Sequence, residues 1–131
     1  MILLDTNICI YIINARPSAV LAHFHRFRLG EVGLSSVVAA ELTYGVAKSS
    51  SERNRKALEM FLAPLEIMPF DEKVVWTYGE IRANLGRRDQ SVGSLDTMIA
   101  AHALSLDAVL VTNNTREFTR VKNLKLENWA E

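Results

Sequence analysis

The chain has 131 residues, with 15 Lys plus Arg against 15 Asp plus Glu and a formal net charge of +0 at pH 7, which excludes a basic nucleic-acid coat. A hydrophobic fraction of 49% beside 23% charged residues excludes a disordered polypeptide, and a single cysteine excludes an internal disulfide or a thiolate metal cluster. The length suits one domain, residues 1–131, with a core of its own. No basic leader precedes a long apolar run, because an acid stands as early as Asp5, so the expected location is the cytoplasm and no membrane partner is expected.

Ile2, Leu3 and Leu4 form an unbroken apolar run that ends in Asp5, Thr6 and Asn7. That is the pattern of a strand covered on both faces in a parallel sheet, with its polar end at the crevice such sheets present. Ile8 to Ile13 reads as a short helix, with Cys9 a small buried hydrophobe. Pro17 opens a second helix on which Val20, Leu21, Phe24 and Phe27 or Arg28 share a face, His23 and His25 being surface or half-buried. Val32 to Ser35 is a brief strand after Gly30, and Ser35 or Ser36 caps a helix running to about Lys48. Glu41 falls on a stripe of that helix with Val37, Val38 and Gly45, where a carboxylate needs a reason.

Ser49 to Asn54 reads as a polar connection before a helix marked by Ala57, Leu58, Phe61, Leu62 and Leu65. Ile67 to Phe70 reads as a strand that, by Pro69, lies near an edge or ends early. Asp71 caps a helix with Val74, Val75, Tyr78, Ile81 and Leu85 on one side, and Trp76 is read as packing. A polar loop spans Gly86 to Gly93, and Ser94 caps a helix with Asp96 in its first turn, where the helix dipole favours an ionised carboxylate. His102 lies well off the Asp96 face and is read as structural or exposed. Ala108 to Val111 is a second buried strand ending in Thr112, Asn113 and Asn114, Thr115 to Phe118 a turn or short helix, and Leu124 to Leu126 a last strand. Alternating strands and helices specify a three-layer α/β/α sandwich with a mainly parallel central sheet.

Asp5, Glu41 and Asp96 thus occupy comparable addresses. Each has a plain alternative: a turn residue, a partner of a core arginine, an N-terminal helix acid. Gathered together they repel one another, and a hard divalent cation, Mg²⁺ or Mn²⁺, removes that penalty. The absence of a cysteine or histidine cluster argues against zinc. A carboxylate-held divalent ion makes phosphodiester hydrolysis the natural reaction.

The D-T-N of residues 5–7, S-S-V-V-A-A-E-L-T-Y-G at 35–45, G-S-L-D-T-M-I-A-A-H-A at 93–103 and V-T-N-N-T-R-E-F at 111–118 together resemble the PIN-domain ribonucleases, in particular the VapC toxins of bacterial toxin–antitoxin pairs. The resemblance spans essentially the whole chain. It implies a PIN-like fold and a Mg²⁺-dependent endoribonuclease, with Mn²⁺ able to substitute, that cuts a structured RNA. The RNA it implies is a tRNA, with the anticodon loop of the initiator tRNA a favoured target. It further implies a homodimer neutralised by a cognate VapB-type antitoxin, assembling on operator DNA through that antitoxin. Carried over by position, Asp5, Glu41 and Asp96 are the acids of the site, with Asp5 and Asp96 as metal ligands and Thr6 or Asn7 and Thr112 orienting them.

The family commonly has a fourth acid where this chain has Asn114. Glu117, three residues on, is a candidate to replace it, and the expectation is one firmly held metal with Asn114 hydrogen-bonding around it and a second ion arriving with RNA phosphate. Arg87, Arg88, Arg116 and Lys48 are the candidate RNA contacts. A receiver-type signalling domain ranks lower, because the strand ends carry Ser35 or Ser36 and Thr112 to Asn114 where it needs an acceptor aspartate and a lysine. A G-x-G-x-x-G motif for dinucleotides is absent. A non-catalytic nucleic-acid-binding PIN fold is disfavoured by the three intact acids.

Overall fold

The computed structural model describes residues 1–28 and 30–130. β1 (Ile2–Leu4) is buried at every position, as the unbroken apolar run requires. It lies at the centre of a five-stranded sheet of order β3-β2-β1-β4-β5, with β2 at Val32–Ser35, β3 at Glu66–Met68, β4 at Val109–Val111 and β5 at Lys125–Glu127. All four pairings are parallel, so the expected mainly parallel sheet is parallel throughout.

Helices make every return journey. α1 (Thr6–Ile13) and α2 (Ser18–Phe24) link β1 to β2, α3 (Ser36–Ser49) and α4 (Glu52–Leu62) link β2 to β3, and α5 (Glu72–Arg87) and α6 (Ser94–Ser105) link β3 to β4. The first two connections step across the sheet in one direction and the third steps back. Right-handed crossovers therefore place their helices on opposite faces, giving the three layers. The short α7 (Thr115–Phe118) precedes β5.

Several boundaries differ from the sequence reading, each for a local reason. α2 ends at Phe24, so Phe27 and Arg28 lie beyond it; Phe27 and His23 instead stack on the buried Trp129, with ring centroids 5.5 Å apart in both pairs. The polar residues after Ser51 are the first turn of α4, because the Ser51 hydroxyl accepts the Asn54 N–H at 3.1 Å. Gly86 does not break α5, which runs on to Arg87, and α6 is preceded at its cap position by Gly93 rather than Ser94. On α5 the stripe Val74, Ile81 and Leu85 is buried, whereas Val75 and Trp76 are 52% and 70% exposed. Trp76 is therefore no packing residue within this chain: at about 100° per residue it points some 200° away from Val74.

Gly33 shows how closely β2 and β3 approach. A Cβ built there would stand 2.8 Å from the Glu66 carbonyl oxygen, a backbone atom that the paired strand holds in place. Gly33→Ala is expected to lower stability by about 1–3 kcal/mol through this overpacking. A urea unfolding midpoint equal to that of the parent protein would contradict it.

Candidate active site

The sheet order reverses at the β1–β4 boundary, where β1 leads away to β2 while its other neighbour, β4, is reached only after β3. In parallel sheets such a switch point opens a crevice beyond the carboxyl ends of the two strands. Asp5 and Thr112 follow those two strands directly. The Asp5 N–H extends the ladder by donating to the Val111 carbonyl at 2.9 Å. The Asp5 side chain then caps α1, its Oδ1 accepting the Thr6 N–H at 2.8 Å, and its Oδ2 accepts the Thr112 hydroxyl at 2.7 Å. Asp5 is only 5% exposed; burial pushes its carboxyl up from the usual range, and these two hydrogen bonds pull the other way without reversing the shift.

Glu41 is brought to the same place by α3. The Ser35 hydroxyl starts that helix by accepting the Val37 N–H at 3.1 Å, and Glu41 is half-buried on the face toward α1. There its Oε1 accepts the Thr6 hydroxyl at 3.1 Å. Thr6 thus serves two acids, its backbone N–H holding Asp5 and its side chain holding Glu41.

Asp96 lies in the first turn of α6 and is half-buried. The helix-terminus field alone predicts an easily ionised group. Burial first, and then the charges of Asp5, Glu117 and Glu41, outweigh that field and push Asp96 up to about 6. Asp96 therefore feels three carboxylates carried by other parts of the fold, and Asp5 feels that of Glu117. Among the described residues the ion pairs are Arg55–Glu59 and Lys125–Asp107, so none of the four has a basic partner in contact.

Glu117 on α7 makes two hydrogen bonds, Oε1 accepting the Gly93 N–H at 2.8 Å and Oε2 accepting Asn114 Nδ2 at 2.9 Å. These bonds, the Gly93 one foremost, hold its carboxyl below the ordinary value. Asn114 also donates its backbone N–H to the Thr112 hydroxyl at 3.0 Å. Asn7 is exposed at the start of α1, and Arg87, Arg116 and Lys48 are exposed. Arg88 differs from the expectation of an RNA contact: its guanidinium is turned into the protein, donating to Asn84 at 2.8 Å, to Gln90 at 3.0 Å and to the Arg120 carbonyl.

No three acidic, histidine or cysteine side chains among the described residues stand close enough to chelate an ion by themselves. An array of carboxylates without a basic partner nevertheless suits a hard cation that keeps several waters and takes one or two protein carboxylates, which is the habit of Mg²⁺.

Further contacts escaped the sequence reading. The Gly93 N–H and Arg120 act across the fold, and neither is marked by any local pattern. The Ser35 hydroxyl also meets the buried His102 Nδ1 at 2.7 Å, tying α6 to the base of α3; burial lowers the His102 pKa. Of the two readings, structural or exposed, His102 takes the first, being buried. Tyr11 accepts the Asn113 side-chain N–H at 2.9 Å, holding the segment after β4. No helix among the described residues is long and apolar enough to cross a membrane.

The PIN domain family model matches residues 2–124. A Rickettsia felis protein named Ribonuclease VapC2 is 44% identical over 129 residues, covering 97% of this chain and 96% of its own. A Shigella flexneri protein named tRNA(fMet)-specific endonuclease VapC is 43% identical, covering 98% of this chain and 97% of its own. Among solved structures, VapBC2 from Rickettsia felis bound to a DNA fragment from its promoter matches with a TM-score of 0.90 at 44% identity, covering 98% of this chain and 99% of that one. DNA-bound VapBC from Salmonella typhimurium matches with a TM-score of 0.91 at 40% identity, covering 98% and 97%.

Proposed function

The chain belongs to the PIN domain family, as an endoribonuclease of the VapC kind, and from that premise we propose that it is a Mg²⁺-dependent toxin, with Mn²⁺ able to substitute, that hydrolyses a structured RNA. The observation that supports the metal dependence is the crowding of acids around Asp96, which burial and then the charges of Asp5, Glu117 and Glu41 push up to about 6, with no basic side chain paired to any of the four. A divalent cation offsets that repulsion.

Asp5 and Asp96 would hold the ion. Asp5 is kept in a single orientation by Thr112 and the Thr6 N–H, and Glu41 faces the same space from α3 through the Thr6 hydroxyl. When bound, the ion supplies Lewis acidity at the phosphate and a more acidic water. Asn114 gives hydrogen bonds around the site but no charge. The exposed Arg87 and Arg116 offer phosphate contacts, and Arg88 drops out of that group because its nitrogens are already engaged.

The Shigella flexneri relative named for tRNA(fMet) makes initiator tRNA the proposed substrate. The VapBC complexes among the structural neighbours, two of them bound to DNA, support a VapB-type antitoxin as partner, and the proposal adds a homodimer and a higher assembly on operator DNA through that antitoxin. The surface offers a place for it. A groove of about 250 Å³ between α1, α3 and α4 is lined by Ile10, Ile13, Leu42 and Leu58, and Thr6 and Glu41 lie along it. An apolar antitoxin segment carrying a lysine or arginine would fill it and bring a cation to the acids in place of metal.

Purified chain freed of any antitoxin, incubated with end-labelled initiator tRNA, is expected to cut it at discrete positions in Mg²⁺ or Mn²⁺ and to stop when EDTA is in excess. Undiminished cleavage in EDTA would remove the metal mechanism. No cleavage of any tRNA in either metal would favour a non-catalytic RNA-binding role.

A further inference from the structure

The two hydrogen bonds of Glu117 lead to two different acids. Through Gly93 they reach α6, whose amino terminus has no side-chain cap and whose third residue is Asp96. Through Asn114 they reach the Thr112 hydroxyl, which accepts the Asn114 N–H at 3.0 Å and donates to Asp5 at 2.7 Å. Glu117 therefore stands between the helix that carries Asp96 and the strand end that orients Asp5.

A second set of contacts joins the same two segments. The Arg88 guanidinium donates to the Arg120 carbonyl, and the Arg120 guanidinium returns to the Ser91 carbonyl at 2.7 Å. The loop at 88–93 and the segment at 114–120 are thus laced together at three points. That lacing ties the α6 amino terminus to the 114–120 segment by hydrogen bonds, whereas the other bonds at Gly93 are local to the helix, its carbonyl accepting the Thr97 N–H at 2.8 Å and the Thr97 hydroxyl at 2.9 Å.

Resting on the site assigned above, we propose that Glu117 is a positioning residue, a brace that sets the distance between Asp96 and Asp5, and not a metal ligand or a substitute for the missing fourth acid. Direct ligation by either oxygen would draw on the bonds that hold α6 and Asn114 in place. What matters at position 117 is a pair of acceptors at the right reach, and the negative charge is secondary.

Three variants separate these roles. Glu117→Gln keeps an oxygen for Gly93, and the Asn114 amide can turn to offer its own oxygen to the new NH₂. Glu117→Ala removes both bonds. Gly93→Pro removes the N–H donor at a residue whose φ of −54° suits proline, and its ring displaces the Glu117 oxygen that the N–H held at 2.8 Å. The readouts are hydrogen exchange of the Thr97 amide by NMR in metal-free protein, Mn²⁺ affinity by calorimetry, and steady-state RNA cleavage.

Glu117→Ala and Gly93→Pro are expected to speed Thr97 exchange about tenfold as the first turn of α6 loosens. Both should lower Mn²⁺ affinity and kcat by about 10- to 100-fold with KM for RNA nearly unchanged, while Glu117→Gln stays within about fivefold of the parent. If Glu117→Gln loses Mn²⁺ affinity as fully as Glu117→Ala while Thr97 stays protected, the charge acts directly and the brace is wrong. Unchanged Thr97 exchange in Glu117→Ala would also overturn it. If the parent protein itself binds no Mn²⁺, the metal-site reading fails, while the exchange experiment still decides whether Glu117 braces α6.

Discussion

Replacing Asp96 with Asn is expected to abolish RNA cleavage and, in metal-free buffer at neutral pH, to make the protein more stable. The activity loss should exceed the roughly 10- to 100-fold that removing a group behind the ligands costs, because a ligand charge disappears while the volume stays. The stability gain follows from linkage. Burial and three neighbouring acids raise Asp96 from 3.8 to about 6 in the folded chain. An acid raised on folding is protonated in both states below about pH 4, gives up its proton first in the unfolded chain as pH rises, and so drains stability up to about pH 6. About two pKa units correspond to about 3 kcal/mol at full weight, and solvent screening of this half-exposed group brings that to ~1 kcal/mol. Asp96→Asn should therefore raise the melting temperature by about 3–5 °C at pH 7 and leave it nearly unchanged at pH 4. Glu117, whose carboxyl is held below its usual value, is present in both proteins and works in the opposite direction, adding stability as pH rises. Saturating Mg²⁺ should stabilise the parent protein and not the variant. Calorimetry at the two pH values, with and without Mg²⁺, checks all of this; a variant less stable than the parent at pH 7 without metal would show that the acids do not repel as described.

The acids were legible in the sequence because each violates a local pattern. Asp5 ends an apolar run, Glu41 interrupts an apolar stripe, and Asp96 begins a helix whose next turns are buried. The sheet was legible for a related reason, since strands covered on both faces show no alternation and cannot be mistaken for hairpins. Trp76 was not legible: its size suggests burial, but which face of α5 turns inward is settled by the Val74, Ile81 and Leu85 stripe, and Trp76 is left 70% exposed. The dipole argument for Asp96 failed in the same way, because three of the charges acting on it come from residues 5, 41 and 117.

Hydrogen-bond lacing was the least legible layer. Nothing near Glu117 announces that its partner is a backbone N–H 24 residues earlier, and Arg88 in a polar loop looks like a solvated cation until the Arg120 carbonyl is seen to receive it. A backbone group carries no residue identity, so a contact made to one leaves no mark in composition or spacing. The acids of the candidate site were visible as residue types, whereas their arrangement depends on contacts that only the folded chain displays.

Thr112→Val tests that geometry at its centre. The swap preserves shape but removes a hydroxyl that donates to Asp5 at 2.7 Å and accepts the Asn114 N–H at 3.0 Å, at a fully buried position. Leaving those partners unsatisfied should cost about 1–3 kcal/mol. The cost should depend on pH in a definite direction. The Thr112 bond favours the charged form of Asp5, so its loss raises the folded-state pKa further above 3.8, and stability falls more steeply as pH rises. The gap between variant and parent should therefore be wider at pH 7 than at pH 4. Metal affinity and kcat should fall by about 10- to 100-fold, since Asp5 is no longer held to one rotamer. Thr112→Ser, which keeps the hydroxyl and loses a methyl group, should recover most of the activity and the pH dependence while keeping a small packing loss. If Thr112→Val binds Mn²⁺ and cleaves RNA like the parent, Asp5 does not need its hydroxyl partner; if the stability gap is equal at both pH values, the loss is one of packing and not of a hydrogen bond to a buried charge.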